Sequence, residues 1–387
     1  MRGGRDSAAE TEIAGAPAPR ANPDLLGHEA AERALRRLFA SGRLPHALLL
    51  SGPRGIGKAT LAFRLARFVL AAGAGEAGEP LLVGFSGGSN DSGAGESGLA
   101  IAPESGVFRR VASGGHADLL TVERAYDPRR RRLRGEIVVA DTREISSFLR
   151  LTPAEGGWRV VIVDGADEMN RNAANALLKI LEEPPRRTLL LLVAHSPGRL
   201  LPTIRSRCRR FPLAPLMPAI VRLLLARHRP DLPEPQAEAL TALCGGSIGR
   251  ALDLAGVGGV ELYDSVLALL GRDGGIDPAA LHAFGDRLAR NDAEEAYRAV
   301  EELVTQLLAR VAVAAARGRA GAEAQPQTQP AAREGVVLRR LSLRAPAARW
   351  AELRDEICRS FARTDALNLD RKQTILGAFF AIEAAAR

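Results

Sequence analysis

Residues 159–185, RVVIVDGADEMNRNAANALLKILEEPP, decide the fold class of this chain. The β-branched run at 160–163 has no alternation of apolar and polar residues, which is typical of a strand buried on both faces of a parallel sheet. Asp164 ends that strand, at the edge where open α/β sheets bind their ligands. Apolar residues then recur at helical spacing from Ala174 to Leu181, and a proline pair ends the helix. The stretch therefore predicts a strand, a polar turn and a helix of an α/β fold.

A phosphate-binding loop is predicted upstream, at residues 52–60, which read GPRGIGKAT. The sequence fits the frame G-x-x-x-x-G-K-[ST] up to its last position, and it lies between an apolar run and a helical pattern, as that motif requires. Gly52, Gly55 and Gly57 allow backbone N–H groups to surround phosphate oxygens. Lys58 adds a positive charge at the start of a helix, where anions are favoured. These residues form the predicted nucleotide site.

The last position of the motif departs from the pattern. Ala59 occupies the place of the serine or threonine whose hydroxyl binds Mg²⁺. Thr60 lies one residue further on, about 100° around a helix, so it does not simply replace the missing ligand. Thr60 and Asp164 are still predicted to line the nucleotide site. The sequence thus permits ATP and Mg²⁺ to bind, but only weakly.

Length and composition bound the class of protein. A chain of 387 residues is long enough for two or three domains. It has no apolar run of about 18 residues, so no membrane-spanning helix is predicted. The polar residues 1–21 are predicted to form a disordered tail. Its cysteines, Cys208, Cys244 and Cys358, are far apart and form no C-x-x-C pair, which argues against a disulfide framework and a zinc site and fits a reducing cytoplasm.

The chain carries a net charge of +8, which is compatible with a nucleic-acid partner. Only three lysines occur, so almost all of the positive charge is arginine spread along the chain. This distribution favours solvated surface arginines, with a nucleic-acid-binding surface as the alternative. Residues 127–134, DPRRRRLR, include a basic run, Arg129–Arg134, that can contact DNA phosphate, but a solvated loop is the favoured interpretation. Aromatic residues make up 4% of the chain, too few for a base-stacking platform.

Two arginines downstream of the central stretch are candidate site residues. Arg207 follows a second predicted buried strand at 188–194 and a short helical segment. An arginine there can neutralise charge on a transferring phosphoryl group, in its own chain or in a neighbour's site, although alone it reads as a surface arginine. Arg250 falls in the first turn of a helix, where the dipole disfavours a cation. Two interpretations of Arg250 stay open: it binds a phosphate, or it is an ordinary surface arginine.

The motifs together resemble the clamp-loader ATPase family of bacterial DNA polymerase III. They occur in the order LPHALLLSGPRGIGKAT, VVIVDGADEMN, NALLKILEEPP, LLPTIRSRC and GSIGRAL. The likeness covers residues 23–254 strongly and the C-terminal helices weakly, through ALNLDRKQ at 366–373. NALLKILEEPP combined with SRC is specific to this family, whereas the P-loop alone is not.

The resemblance implies an α/β AAA+ P-loop module with a parallel sheet flanked by helices, a small helical lid, and an all-α C-terminal collar domain that assembles a five-subunit ring. We predict the P-loop domain at residues 22–213. Within it, the glycine- and serine-rich residues 72–115 are predicted to be a flexible insertion without structure. The lid is predicted at 214–256 and the collar at 257–387, with a low-complexity loop at 318–335.

Site roles follow from the resemblance position by position. It gives residues 52–60 the role of the phosphate loop and Asp164 that of the acid on the Mg²⁺ side. Arg207 matches the arginine finger, which acts on the ATP of a neighbouring subunit. Arg250 matches the second sensor of the nucleotide site.

Two departures from the family pattern concern hydrolysis. Active members carry a hydroxyl where this chain has Ala59, and a glutamate that positions the attacking water where it has Gly165. Asp167 and Glu168 lie further along the turn and need not reach the site. Arg207 is kept, so the losses are selective. The family often carries a four-cysteine zinc module after the P-loop helix, but that region here has no cysteine, so no zinc is predicted.

We therefore predict a subunit that does not hydrolyse ATP, belongs to the DNA-directed DNA polymerase holoenzyme, and supplies an arginine finger to an adjoining ATPase. Its predicted partners are the delta and gamma/tau subunits and, through the complex, the sliding clamp and primer-template DNA, with no membrane partner. One alternative is an active ATPase of gamma/tau type or another AAA+ motor, and residues 59 and 165 discriminate. A stand-alone DNA-binding protein is the other alternative, without a reader motif to support it.

Overall fold

The computed structural model describes residues 16–73, 98–127, 132–155, 157–272, 274–317 and 329–387. Its contacts divide the chain into two units. The P-loop unit comprises residues 1–221 and 246–249, and the helical unit comprises 222–245 and 250–387. Residues 214–256, predicted as a lid, are divided between the two units, and the proposed lid and collar boundaries stay predictions.

Seven strands lie in the described part of the P-loop unit: β1 (Ala47–Ser51), β2 (Leu119–Val122), β3 (Tyr126–Asp127), β4 (Arg132–Leu133), β5 (Arg159–Asp164), β6 (Thr188–Ala194) and β7 (Arg209–Pro212). Strands β3 and β4 form an antiparallel pair, and the other five form a parallel sheet in the order β2-β5-β6-β1-β7. Every residue of β1, β5 and β6 is buried except Asp164, which confirms the predicted burial on both faces. The short edge strand β7 is a strand that the sequence pattern did not predict.

The register of the sheet brings the site residues to one edge. Asp164 pairs with Val193, and Ser51 pairs with Ala194, the last residue of β6. The phosphate loop begins directly after Ser51. The acid and the loop therefore lie at the carboxyl end of the same sheet, as predicted for ligand sites of this fold class.

Six helices accompany the sheet: α1 (Glu29–Ala40), α2 (Lys58–Gly73), α3 (Gly106–Ala112), α4 (Val139–Leu149), α5 (Arg171–Glu182) and α6 (Pro202–Arg207). Side chains of α1, α2 and α3 share one buried apolar cluster with one face of the sheet, and side chains of α4, α5 and α6 share another with the opposite face. The predicted fold class of a parallel sheet flanked by helices is confirmed.

The prediction that residues 72–115 form an insertion without structure is wrong for the second half of this segment. Helix α3 lies within it, and Leu99, Val107 and Val111 are fully or almost fully buried against α2 and the sheet. Burial of these apolar side chains outweighs the local glycine and serine content. Residues 74–97 lie outside the described residues.

Two further segments differ from prediction. The tail predicted at 1–21 is held at its end, because the buried Arg67 guanidinium donates hydrogen bonds to the carbonyls of Arg20 (2.9 Å) and Asn22 (2.8 Å). Residues 1–15 lie outside the described residues. The loop predicted at 318–335 is wrong from residue 329 onward, where a helix begins, and its other residues, 318–328, are not among those described.

The remaining helices are α7 (Pro218–His228), α8 (Glu234–Leu243), α9 (Ile248–Gly256), α10 (Gly259–Leu270), α11 (Pro278–Leu288), α12 (Glu294–Arg317), α13 (Gln329–Ser342), α14 (Ala347–Leu367) and α15 (Arg371–Ala385). Helices α12 and α14 pack through a pair of rings, Tyr297 and Phe361, whose centroids are 5.2 Å apart. The predicted all-α character of the C-terminal region is confirmed. Among the described helices, none is both long and apolar enough to cross a membrane.

Candidate functional site

The phosphate loop adopts a backbone that depends on glycine. Gly55 and Gly57 have positive φ angles of 76° and 98°, a region that side chains with a Cβ rarely adopt. At Gly52 the limit is space, because a Cβ there would lie 2.4 Å from the carbonyl oxygen of Leu213. The predicted role of these glycines in shaping the loop fits this geometry.

Protein groups hold the loop from outside. Three consecutive carbonyls accept hydrogen bonds from other segments: that of Arg54 from the Ser247 hydroxyl (2.8 Å), that of Gly55 from the Gly249 amide (3.0 Å), and that of Ile56 from Nε2 of His28 (2.7 Å). His28 and Ser247 are buried. Because these partners belong to the chain itself, the loop keeps its shape without a ligand.

The loop lysine is turned onto its own loop. The Lys58 side chain is buried, and its ammonium donates to the carbonyl of Pro53 at 2.5 Å. Burial lowers the pKa of Lys58 to about 8, against the opposing charges of Asp164 and Asp167. Lys58 therefore retains a proton at neutral pH, but a phosphate has to replace its contact with Pro53.

This pKa predicts a pH dependence of stability. Between pH 8 and 10.5, the folded and ordinary pKa values of Lys58, the unfolded chain binds more protons than the folded chain. The free energy of unfolding should therefore rise with pH across this window, by about 3 kcal/mol. The measurement is urea unfolding of the wild type and of Lys58→Met at several pH values.

A matched control is available because the chain has only three lysines. Lys179→Met removes an exposed lysine of α5 and should keep the wild-type slope. If the free energy of unfolding changed with pH equally in the wild type and in Lys58→Met, the lowered pKa of Lys58 would be contradicted.

The groups that would hold Mg²⁺ are incomplete. Ala59 offers a methyl group in the first turn of α2, and Thr60 is buried beside it. Asp164 is the acid at the end of β5, where burial raises its pKa and Lys58 opposes that shift. Within the described residues, no group of three or more histidine, cysteine or acidic side chains could hold a metal ion. Asp164 is placed to contribute to a Mg²⁺ site, but the hydroxyl ligand of the motif is missing at Ala59.

The position after Asp164 has a backbone conformation that favours glycine. Gly165 has φ 75° and ψ 44°, in the left-handed region. A Cβ at this position would lie 2.6 Å from Oε2 of Glu168. Glu168 is itself fixed by an ion pair with Arg124 at 2.8 Å. A residue with a Cβ at position 165 would therefore be strained in its backbone conformation by roughly 1 to 2 kcal/mol, and it would require the end of the Glu168 side chain to move.

Asp167, in the same turn, has a structural role that the sequence did not indicate. The buried carboxylate of Asp167 accepts hydrogen bonds from the backbone amides of His195 (2.9 Å) and Ser196 (2.7 Å). It thereby fixes the residues that follow β6 beside the turn that follows β5. Burial, and then the charge of Lys58, lower the pKa of His195 to about 4, so its imidazole is neutral at pH 7.

Arg207 lies apart from these loop contacts, at the end of α6. It is exposed, with 36% of its side chain accessible, and its Nη2 pairs with Oε1 of Glu182 at 2.7 Å. Its Nη1 donates to the carbonyl of Thr203 at 3.1 Å. A solvent-facing guanidinium in this position can reach a second protein molecule.

Arg250 belongs to the helical unit. It is buried, and its Nη1 forms an ion pair with Oε1 of Glu302 on α12 at 3.3 Å. Burial lowers its pKa, against the charge of Glu302. The described partner of Arg250 is thus a carboxylate, and its contact with nucleotide stays a prediction.

Comparisons with known proteins relate the site to a family. Residues 99–217 match the family model described as DNA polymerase III, delta subunit. The chain is 40% identical over 216 residues to DNA polymerase III subunit delta' of Pseudomonas aeruginosa, covering 55% of this chain and 56% of that protein. It is 30% identical over 293 residues to DNA polymerase III subunit gamma/tau of Mycobacterium tuberculosis, covering 74% and 46% respectively. The chain thus spans about half the length of these relatives.

A solved structure of a DNA polymerase III gamma subunit-related protein from Thermotoga maritima is 18% identical, with a TM-score of 0.37, and the match covers 91% of this chain and 99% of that one. The relationship to known proteins therefore rests on the sequence matches and not on this structural comparison. By sequence, this chain is therefore similar to the delta-prime and gamma/tau subunits of DNA polymerase III, in agreement with the clamp-loader family that its motifs resemble.

Proposed function

We propose that this protein is the delta-prime subunit of the DNA polymerase III clamp loader, a stator that hydrolyses no ATP itself and presents Arg207 to an adjoining ATPase subunit. The turn after β5 carries this proposal. Residue 165 is a glycine and carries no carboxylate, Glu168 is paired with Arg124, and the Asp167 carboxylate accepts hydrogen bonds from two backbone amides. The turn therefore lacks an acid free to orient a water molecule.

The intact loop fits a structural role in this proposal. Its carbonyls are held by His28, Ser247 and Gly249, and Lys58 contacts Pro53. These contacts support a loop that shapes the surrounding surface whether or not nucleotide is bound. ATP and Mg²⁺ would bind weakly, since Ala59 removes a metal ligand.

The proposed partners are the delta and gamma/tau subunits in a five-subunit ring, which places the sliding clamp on primer-template DNA in the cytoplasm. Similarity to the delta' and gamma/tau subunits of other bacteria supports this assignment. Arg250 is proposed as the second sensor of the family pattern, retained although Glu302 now pairs with it.

The second candidate is an active ATPase of gamma/tau type. The complete set of loop glycines with Lys58, and the gamma/tau relatives, favour it. Ala59 and Gly165 oppose it, because they remove a Mg²⁺ ligand and the glutamate that positions water.

Measurement of ATP turnover separates the two candidates. We expect the purified single chain to remain at background with ATP and Mg²⁺. We also expect the double variant Ala59→Thr with Gly165→Glu to be less stable than the wild type by roughly 1 to 2 kcal/mol, because residue 165 lies in the left-handed region. Clear Mg²⁺-dependent hydrolysis by the wild-type chain would favour the motor and contradict the stator.

A further inference from the structure

The orientation of the Arg207 guanidinium is set by two contacts. Nη1 donates to the backbone of its own helix, at Thr203, and Nη2 pairs with Glu182 at the end of α5. Two of the five N–H donors of the fork are thus engaged, and three are left for another acceptor. The side chain is thus held by two contacts while 36% of its surface remains exposed.

The Glu182 carboxylate lies where local electrostatics disfavour it. It is the last residue of α5, and the carboxyl end of a helix dipole repels negative charge. It is also 50% exposed, and exposed ion pairs contribute little to stability. The 2.7 Å contact with Arg207 offsets this unfavourable position of the Glu182 carboxylate.

We propose that Glu182 is a positioning residue, which holds the Arg207 guanidinium in the orientation that serves the adjoining subunit's ATP. This inference rests on the proposed role of Arg207. A free arginine side chain samples many rotamers, and ordering it when subunits dock or when charge develops has an entropic cost. Glu182 removes much of that cost before the partner arrives, while the three remaining donors stay available for phosphate oxygens.

The neighbouring residue provides a matched control. Glu183 is also an exposed glutamate, and it caps the same helix end without the contact to Arg207. Replacing either residue by alanine removes one negative charge from nearly the same place. A difference between the two variants therefore reports on the contact and not on the net charge.

The test is steady-state ATP hydrolysis by the reconstituted clamp loader with clamp and primed DNA, using Glu182→Ala, Glu182→Gln, Glu183→Ala and Arg207→Ala. For Glu182→Ala we expect kcat to fall roughly three- to tenfold, with the KM for ATP within about twofold of wild type, since one rotamer-rich side chain loses its preorganisation. Glu182→Gln keeps an acceptor oxygen at the same reach and should stay within about twofold of wild-type kcat. Glu183→Ala should match the wild type, and complex assembly, followed by gel filtration, should be intact in all four.

A double variant completes the test, because Glu182→Ala should have no further effect once Arg207 is alanine. An unchanged or higher kcat in Glu182→Ala, an equal loss in Glu183→Ala, or a loss in Glu182→Gln as large as in Glu182→Ala would overturn the positioning role. If Arg207→Ala itself has no effect, the proposed function fails instead, so the two failures are distinguishable.

Discussion

Replacing Arg207 by alanine is expected to lower ATP hydrolysis by the adjoining gamma/tau subunit by roughly 10³- to 10⁵-fold, the effect of arginine fingers elsewhere. The reason is electrostatic, because a guanidinium stabilises the negative charge that develops on the transferring phosphoryl group. The exposure of Arg207 at the end of α6 and its contacts with Glu182 and Thr203 support this proposed role. The measurement is single-turnover hydrolysis in the complete loader, with the variant in this chain only.

Two controls sharpen this experiment. Arg207→Lys keeps the charge but loses the planar fork, so most of the loss should persist. Arg209→Ala removes an exposed arginine two residues away and should leave the rate unchanged. A wild-type rate in an assembled loader carrying Arg207→Ala would exclude Arg207 from the mechanism.

The second large effect concerns stability. Asp167→Ala is expected to lower the free energy of unfolding of the P-loop unit by roughly 2 to 5 kcal/mol, because two backbone amides lose their acceptor in a buried site. Urea unfolding followed by tryptophan fluorescence measures the change, with Trp158 as the reporter in the P-loop unit. Hydrogen exchange supplies a local readout, since the amides of His195 and Ser196 should lose protection.

The adjacent acid is the control for this prediction. Glu168 pairs with Arg124 on a partly exposed surface, so Glu168→Ala should cost about 1 kcal/mol or less. Equal effects of the two substitutions, or unchanged exchange at residues 195 and 196 in Asp167→Ala, would show that Asp167 does not bridge the two strand ends.

Strong local signals made much of the P-loop unit predictable. Uninterrupted apolar runs identify β5 and β6, and the glycine spacing of residues 52–57 identifies a loop whose backbone only glycine adopts easily. The departures at Ala59 and Gly165 are equally visible, since they change the chemistry at fixed motif positions.

Contacts between segments that are distant in sequence could not be predicted from the sequence alone. Asp167 and His195 are 28 positions apart, and no local sequence pattern predicts their hydrogen bond. The pairing of Glu182 with Arg207 is of the same kind. Helix α3 was missed for a different reason, because its few apolar residues are diluted by flanking glycine and serine and become significant only when packed.

The left-handed residue after β5 also bears on how such a subunit changes over time. A single replacement at residue 165 would place a Cβ in the left-handed region, at a cost of roughly 1 to 2 kcal/mol, and would displace the end of the Glu168 side chain. On the proposed function, hydrolysis would also require a hydroxyl at residue 59, so that at least two substitutions would be needed together. On the proposed function, selection on this chain would act mainly on the surface that it presents to its neighbours.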